Sequence, residues 1–481
     1  MGNPLLVSVD SDTKLPPAAV MVALQSGIAS TLAVTTSTTD AQVASWLNSA
    51  LPGTVCRLVG SMTTTAGFDI PNNVTLDGYG ATITAAAASN AHTIRLGNGS
   101  GLIGLKIISS AVTAATYNAV EISSKTDALV RDVAITGSKR CGIEVANSTR
   151  YNLVNNKIRN SAAQAINIVN SDAGVVTGNY IDTALHGIQF WGGDSSTSST
   201  IGIRNVLIAN NNVSNVTGGI WGSLGQGIAI TGNHVENCAD VGIDFEGCQD
   251  STATGNTVRN ATTAGLSVFY GSVSCTFTGN TVINDTAAGF GFKAATSKTN
   301  SGIRVVGNTF RCTNNGVITA DTGAITDSAF ANNTMVTTKS GQSGFVTFNC
   351  SNLQVRGNRI TVYQASGIVN VGGPLWNVDD NDINTTSDTS AAADTVAGVR
   401  MLWQDGTNNA QNSHIHGNRI WGFNKGIVDD CGGDNTSHAW IKDNQVNTIR
   451  YRGTYGNGYY GIIESNRQYT DPNTVTTSSA L

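Results

Sequence analysis

Charged residues are scarce in this chain. Asp, Glu, Lys and Arg together make up 12% of its 481 residues, about half the usual share. That excludes coiled coils and other long-helix architectures. Proline is rarer still, with 7 residues. No apolar run approaches the roughly 18 residues that a membrane-spanning helix needs. A short apolar stretch at 18–24 follows Lys14, but Asp10 and Asp12 stand where a signal peptide carries positive charge and Gln25 ends the run, so no cleaved leader is expected. The formal net charge of -5 offers no basic stripe, and no nucleic-acid partner is expected. Eight cysteines lie at long spacings without a CxxC pair or clustered histidines. They read as buried thiols, and no metal site or cofactor is expected.

What is abundant is glycine, with 54 residues, surrounded by Ser, Thr, Asn and Ala, while 40% hydrophobic residues are spread evenly enough to build a core. A chain about three times the usual domain size is either several domains or one architecture that grows by repetition. The sequence repeats. A phrase of Gly, Asn or Asp, then Asn, any residue and an apolar residue places its Asn at Asn156, Asn179, Asn211, Asn233, Asn256, Asn280, Asn308, Asn333, Asn358, Asn381, Asn418 and Asn444. Most spacings lie near 25 residues, and the longer ones include 32 and 37. A second phrase, Gly, apolar, any, apolar, interleaves with the first, as in Gly187-Ile188-Gln189-Phe190, Gly242-Ile243-Asp244-Phe245 and Gly265-Leu266-Ser267-Val268.

Within both phrases the apolar residues alternate, which is strand periodicity. Sustained helical spacing is absent from residue 55 onward. Several short strands per repeat with no helix between them fit an all-β parallel β-helix of about fifteen coils, each pairing with the coil above and below. The recurring corner needs residues that tolerate left-handed backbone, and stacked Asn side chains can hydrogen-bond up the ladder. Ahead of the coils, Thr39-Asp40-Ala41-Gln42 is a capping box opening a helix through Val43, Trp46 and Leu47, stopped by Pro52-Gly53. This divides the chain into an attachment segment at 1–36, a capping helix at 37–54, the β-helix at 55–465 and a tail at 466–481.

Function on such a scaffold has to come from outward side chains on one face and from loops that replace tight corners. The third position of the glycine phrase and the position two further on should face solvent and stack from coil to coil. Reading along that face gives Glu144 and Ala146, Asn167 and Val169, Gln189 and Trp191, Trp221 and Ser223, Asp244 and Glu246, then Ser267 and Phe269. Exposed tryptophan offers a flat face to a sugar ring, and amides and carboxylates select it by hydrogen bonds. Asn167, Gln189, Trp191, Trp221 and Phe269 are therefore candidate sugar-binding residues. Glu246 and Asp244 are the candidate acid and base, with either inverting or retaining geometry open to them. The 32-residue interval inserts Gly192-Gly193-Asp194 and a Ser/Thr run directly after Trp191, a candidate groove wall that adds Asp194 to the site. The 37-residue interval inserts a second loop at 385–394. His186, near Trp191, is a lesser candidate, and Asp429, Asp430 and Asp434 form a rival acidic cluster.

The capping helix, Gly53-Thr54-Val55-Cys56-Arg57-Leu58, and Ile70-Pro71-Asn72-Asn73-Val74-Thr75-Leu76-Asp77-Gly78-Tyr79-Gly80 resemble the opening coils of pectate-lyase-like right-handed β-helix proteins. That superfamily includes lyases, glycoside hydrolases, epimerases and bacteriophage tailspikes. Among them the chain looks most like a phage tailspike or minor tail protein. The resemblance implies a right-handed coil, a homotrimer, attachment to phage tail or baseplate proteins through the N-terminus, location on the virion tail, and recognition or cleavage of a bacterial surface polysaccharide. It also leaves open a non-catalytic fibre or a secreted lyase or epimerase. The calcium-binding acid cluster with an Arg base that pectate lyases carry is not found.

Overall fold

Where apolar and polar residues alternate, the chain runs as short strands, each paired in parallel with its equivalents in the neighbouring coils. The computed structural model describes residues 30–284, 286–293, 298–319, 323–387, 396–402, 412–430, 439–446, 449–451, 463–464 and 467–468. They form an all-β parallel solenoid of about sixteen turns. One coil runs through the strands Thr252–Thr254, Thr257–Ala261 and Ala264–Phe269, and the next through Thr276–Thr278, Thr281–Asn284 and Ala288–Lys293. The register sets Ala253 against Phe277, Val258 against Val282 and Leu266 against Phe290. All six side chains are buried, as the period of two requires.

The recurring corner divides its labour between two residues. The first residue of the phrase takes the left-handed conformation, as at Asn210 (φ 55°) and Gly279 (φ 62°). The second, always Asn, is buried and builds a ladder. The backbone N–H and Nδ2 of Asn256 both donate to Oδ1 of Asn280, at 2.9 and 3.0 Å, while its Nδ2 also donates to the Ile230 carbonyl at 2.9 Å. The glycine of the second phrase serves close approach instead. A Cβ on Gly242 would sit 2.3 Å from Val258 Cγ1 and 2.5 Å from the carbonyl of Gly265.

Contacts divide the chain into two compact units, 1–163 with 171–179, and 164–170 with 180–481. The first has an aliphatic core that includes Leu76, Ile83, Leu102, Ile107 and Ile135. Its helix, Asp40–Asn48, carries the expected capping box and buries Val43 and Leu47. The Asp40 carboxylate accepts from the backbone N–H of Thr65 and Ala66 at 3.0 and 2.9 Å. The second unit fills its interior with rings: Phe277 and Phe290 lie 4.7 Å apart, Phe290 and Phe292 4.7 Å, and Phe330 and Phe345 4.7 Å.

Both ends of the solenoid differ from expectation. Ser30–Val34 is a strand paired in parallel with Cys56–Gly60, inside the segment assigned to attachment at 1–36. Only Val34 of its five residues is buried, too little to mark a strand by alternation. Residues 1–29 of that segment lie outside the described residues. At the other end Arg467–Gln468 pairs with Gln445–Val446, just past the boundary assigned to the tail; the remainder of 466–481 is not described. The seven described cysteines are all buried. Among the described residues no helix is long and apolar enough to cross a membrane.

Candidate functional site

The glycine phrase fixes the register of the outer face within the second unit. Strands Tyr180–Trp191, Asn212–Ser223, Val241–Glu246 and Ala264–Phe269 align Gln189, Trp221, Asp244 and Ser267 in one column, and Trp191, Ser223, Glu246 and Phe269 in the next. Between the columns Phe190, Phe245 and Val268 point inward and are buried. These are the two columns expected from the sequence. The solvent exposure expected for the first column is not found. Asp244 is 1% exposed, Gln189 6% and Ser267 0%, while Trp221 is half-buried.

Asp244 and Glu246 stand two apart on the strand Val241–Glu246, close enough for the Glu246 charge to act on Asp244. Burial, followed by the Glu246 charge, holds Asp244 well above the usual carboxylate range. Burial likewise pushes Glu246 up to about 7. Two interacting carboxyls shed their protons as a pair. Glu246 is only half-buried and is the member of the pair open to the surface.

Aromatic groups flank the pair on one side. Trp191 and Trp221 pack edge to face at 5.9 Å, and His186 lies 4.9 Å from Trp221. His186 Nδ1, Trp221 Nε1 and Asp244 Oδ1 are buried without a hydrogen-bond partner in the protein. Buried polar atoms are seldom left unpaired, and three of them on adjacent strands mark a place for water or a polar ligand. Burial lowers the His186 pKa, favouring the neutral ring. Phe269, half-buried, tilts against Tyr270 at 5.8 Å.

The inserted loop after Trp191 forms the wall that its length suggested. Buried Ser195 donates its hydroxyl to Glu246 Oε2 at 3.4 Å, and Ser223 Oγ donates to the Gly193 carbonyl at 2.5 Å. Lys298 Nζ, about a hundred residues further along, donates to the carbonyls of Ser195 and Ser198 at 2.6 and 2.5 Å. Beside this clamp, Leu224, Gly247, Gln249, Tyr270 and Lys298 help line a half-open cavity of about 220 Å³. Ser195 and Lys298 were missed by the sequence reading, since neither belongs to a repeated phrase.

The remaining candidates are placed as follows. Asn167 is buried in the strand Lys157–Val169. Gln189 accepts from Gln164 Nε2 at 2.5 Å. Asp194 is exposed, accepts from Ser196 N–H and Oγ at 2.9 and 2.6 Å, and is held below the usual carboxylate range by those bonds. In the first unit Glu144 is buried and paired with Arg140 at 2.8 Å. Asp429 of the rival cluster is buried and accepts from the Ala439 N–H at 3.2 Å; Asp434, and the side chain of Asp430, lie outside the described residues. Among the described residues no three His, Cys, Asp or Glu side chains gather as metal ligands.

In comparisons with known proteins, a family model described as right handed beta helix region matches residues 72–201 and 142–318. No curated protein matches the chain. Among solved structures, the catalytic domain of a GH87 alpha-1,3-glucanase in complex with tetrasaccharides is 13% identical with a TM-score of 0.44, covering 86% of this chain and 69% of that one. The A-module of the Azotobacter vinelandii mannuronan C-5 epimerase AlgE6 is 11% identical with a TM-score of 0.37, covering 85% and 94%. Tailspike protein 2 of Escherichia coli O157:H7 bacteriophage CAB120 is 10% identical with a TM-score of 0.45, covering 58% and 43%.

Proposed function

The chain belongs to the right handed beta helix family, and from that premise we propose that it binds a polysaccharide along Gln189, Trp191 and Trp221 and hydrolyses a glycosidic bond at Glu246. The observation that carries this reading is a surface carboxyl pushed up to about 7, beside two tryptophans and backed by a buried second carboxyl. Such a group holds a proton at neutral pH and can deliver it.

Glu246 donates its proton to the glycosidic oxygen as the bond from that oxygen to the anomeric carbon breaks. Water adds to the anomeric carbon and gives its own proton to a charged carboxylate. Asp244 is unsuited to that second task, because it is buried and held well above the usual carboxylate range, whereas a water-activating base has to be charged. Asp244 instead keeps a proton on the pair. Asp194, kept charged by Ser196, is the carboxylate we assign to the water. Trp191 and Trp221 stack the sugar, with Asn167, Gln189 and Phe269 extending the binding face.

Release of reducing ends from host polysaccharides tests the assignment. Glu246→Gln is expected to lose at least about a hundredfold in release while retaining binding. Unchanged release in both Glu246→Gln and Asp244→Asn would reject the site. Stable complexes without new reducing ends would favour a non-catalytic fibre. Unsaturated products absorbing in the ultraviolet would favour a lyase.

The resemblance of the opening coils extends the proposal to a phage tailspike on the virion tail, homotrimeric, attached to tail or baseplate proteins by its N-terminus and directed at a bacterial surface polysaccharide. Light scattering is expected to give three times the chain mass of 49.7 kDa; a single-chain mass would reject the trimer.

A further inference from the structure

A second polar and aromatic surface lies in the second unit, on the short-strand face and away from the carboxyl pair. Four neighbouring parallel strands, Ser351–Arg356, Asn377–Asp379, His414–His416 and Trp440–Lys442, align Gln354, Asn377, His414 and Trp440 in one column, and Arg356, Asp379, His416 and Lys442 in the next. The residues between the columns, Val355, Val378, Ile415 and Ile441, are fully buried. Alternation therefore sends both columns outward, where all of their members but Gln354 line a half-open cavity of about 500 Å³, within the range of small-molecule sites.

The residue types differ from those at the same positions on three earlier strands of the unit, although Arg304 and Val306 interrupt the run of small residues that follows. On the strands Ala229–Thr231, Thr252–Thr254 and Thr276–Thr278 the outward columns are Ala or Thr, small side chains suited to a solvated strand. At the later strands they become Trp, His, Arg, Lys, Asp and Asn. Trp440 leaves 47% of its surface exposed, and His414 holds its ring at 5.0 Å. The charges of the trough are mixed. Arg356 lies 3.9 Å from Asp380, and His416 Nε2 is 3.2 Å from Asp443. Half-buried Asp379 is shifted upward, chiefly by burial.

We propose that this trough is a second sugar-binding site, specific for uncharged sugar units. An exposed indole supplies the platform for a ring face. Amide, imidazole, guanidinium and carboxyl groups supply both donors and acceptors for hydroxyls. Arg356 and Lys442, opposed by Asp379, Asp380 and Asp443, leave no single-sign patch to attract a phosphate or a polyanion. In stacking order these strands lie five to eight coils beyond Val241–Glu246, about 24–38 Å at 4.8 Å per coil. One long polysaccharide can therefore reach both places, and the trough then raises the local concentration of chain at the first.

The test uses full-length protein and a panel of immobilised neutral bacterial polysaccharides and neutral hexasaccharides, with binding read by surface plasmon resonance. Wild-type protein is expected to bind at least one member, Trp440→Ala to bind it about tenfold more weakly or worse, and Trp440→Phe to recover most of the loss. Unchanged melting of the variants excludes misfolding as the cause. Equal binding by wild type and Trp440→Ala across the panel, or no binding by wild type to any member, overturns the proposal. The cleavage reading is judged separately. Loss of binding in Trp440→Ala with no reducing ends released by wild type keeps the trough and sinks hydrolysis at Glu246. Loss only in Trp191→Ala or Trp221→Ala keeps the first site and sinks the trough.

Discussion

At Glu246 the same burial that would serve chemistry has a cost in stability, and the sign can be worked out. Its folded pKa of about 7 stands above the unfolded value of 4.5, so between those values the folded state binds a proton that the unfolded state has lost. Stability is therefore highest below about pH 4.5 and falls as pH rises through about 7, by about 3 kcal/mol from Glu246 alone. Asp244, also shifted upward, adds to the fall. Denaturation midpoints measured from pH 4 to 8 are expected to drop more in the wild type than in the Asp244→Asn, Glu246→Gln double variant, in which Asp379 and His186 still titrate. An equal drop in both would place the titrating groups elsewhere. Asn280 offers a test of the ladder. It accepts from the Asn256 backbone and side chain at 2.9 and 3.0 Å and donates to Asn308 Oδ1 at 2.9 Å. Asn280→Ala removes the acceptor of the two Asn256 donors and is expected to cost about 2–6 kcal/mol, at about 1–3 for each buried unsatisfied group. A loss below 1 kcal/mol in chemical denaturation would show that water enters the corner and replaces the bonds.

Between residue and molecule, the inserted loop is the element that makes the candidate site more than a strand face. It is held by Lys298 through the Ser195 and Ser198 carbonyls and rests on Glu246 through the Ser195 hydroxyl. Lys298→Met removes the clamp without touching the carboxyls. The Ser195 hydrogen bond lowers the Glu246 pKa, but burial is the larger influence and raises it, so a loosened loop is expected to move the alkaline limb of the pH–rate profile toward lower pH. Lys298→Arg should keep the wild-type limb. An unmoved limb in Lys298→Met would mean that the loop does not set the acidity of Glu246. This element also marks the limit of what sequence alone discloses. The paired columns were legible, because each member stands at a fixed offset from a glycine of the second phrase, and that offset survives every change in loop length. The burial of Asp244 and Gln189 was not, since the phrase fixes the face a residue takes and not how far that face is covered. Ser30–Val34 escaped for the opposite reason: its pairing with Cys56–Gly60 is a backbone matter that four unburied residues out of five do not advertise.

Over the whole molecule, stability is a sum of coil terms, because each strand pairs only with its neighbours above and below. The repeated Asn and Gly phrases made that much of the architecture readable. The aromatic interior of the second unit was not readable as a stack, because Phe277, Phe290 and Phe310 occupy different strands of their coils and meet only when the coils close. Phe290 is the natural place to test how far one coil supports the next, since it touches Phe277, Phe292 and Phe310 at centroid separations of 4.7, 4.7 and 6.3 Å. Phe290→Ala is expected to cost about 3–5 kcal/mol through the cavity it leaves. In a nearest-neighbour solenoid the loss is local, so hydrogen exchange should accelerate first in Thr276–Thr278, Ala288–Lys293 and Thr309–Cys312, while Asn377–Asp379 and Asp382–Thr385 keep their wild-type protection. Equal acceleration in all of these strands would mean that the second unit unfolds as a single cooperative block, with coupling between coils stronger than the stability of any one of them.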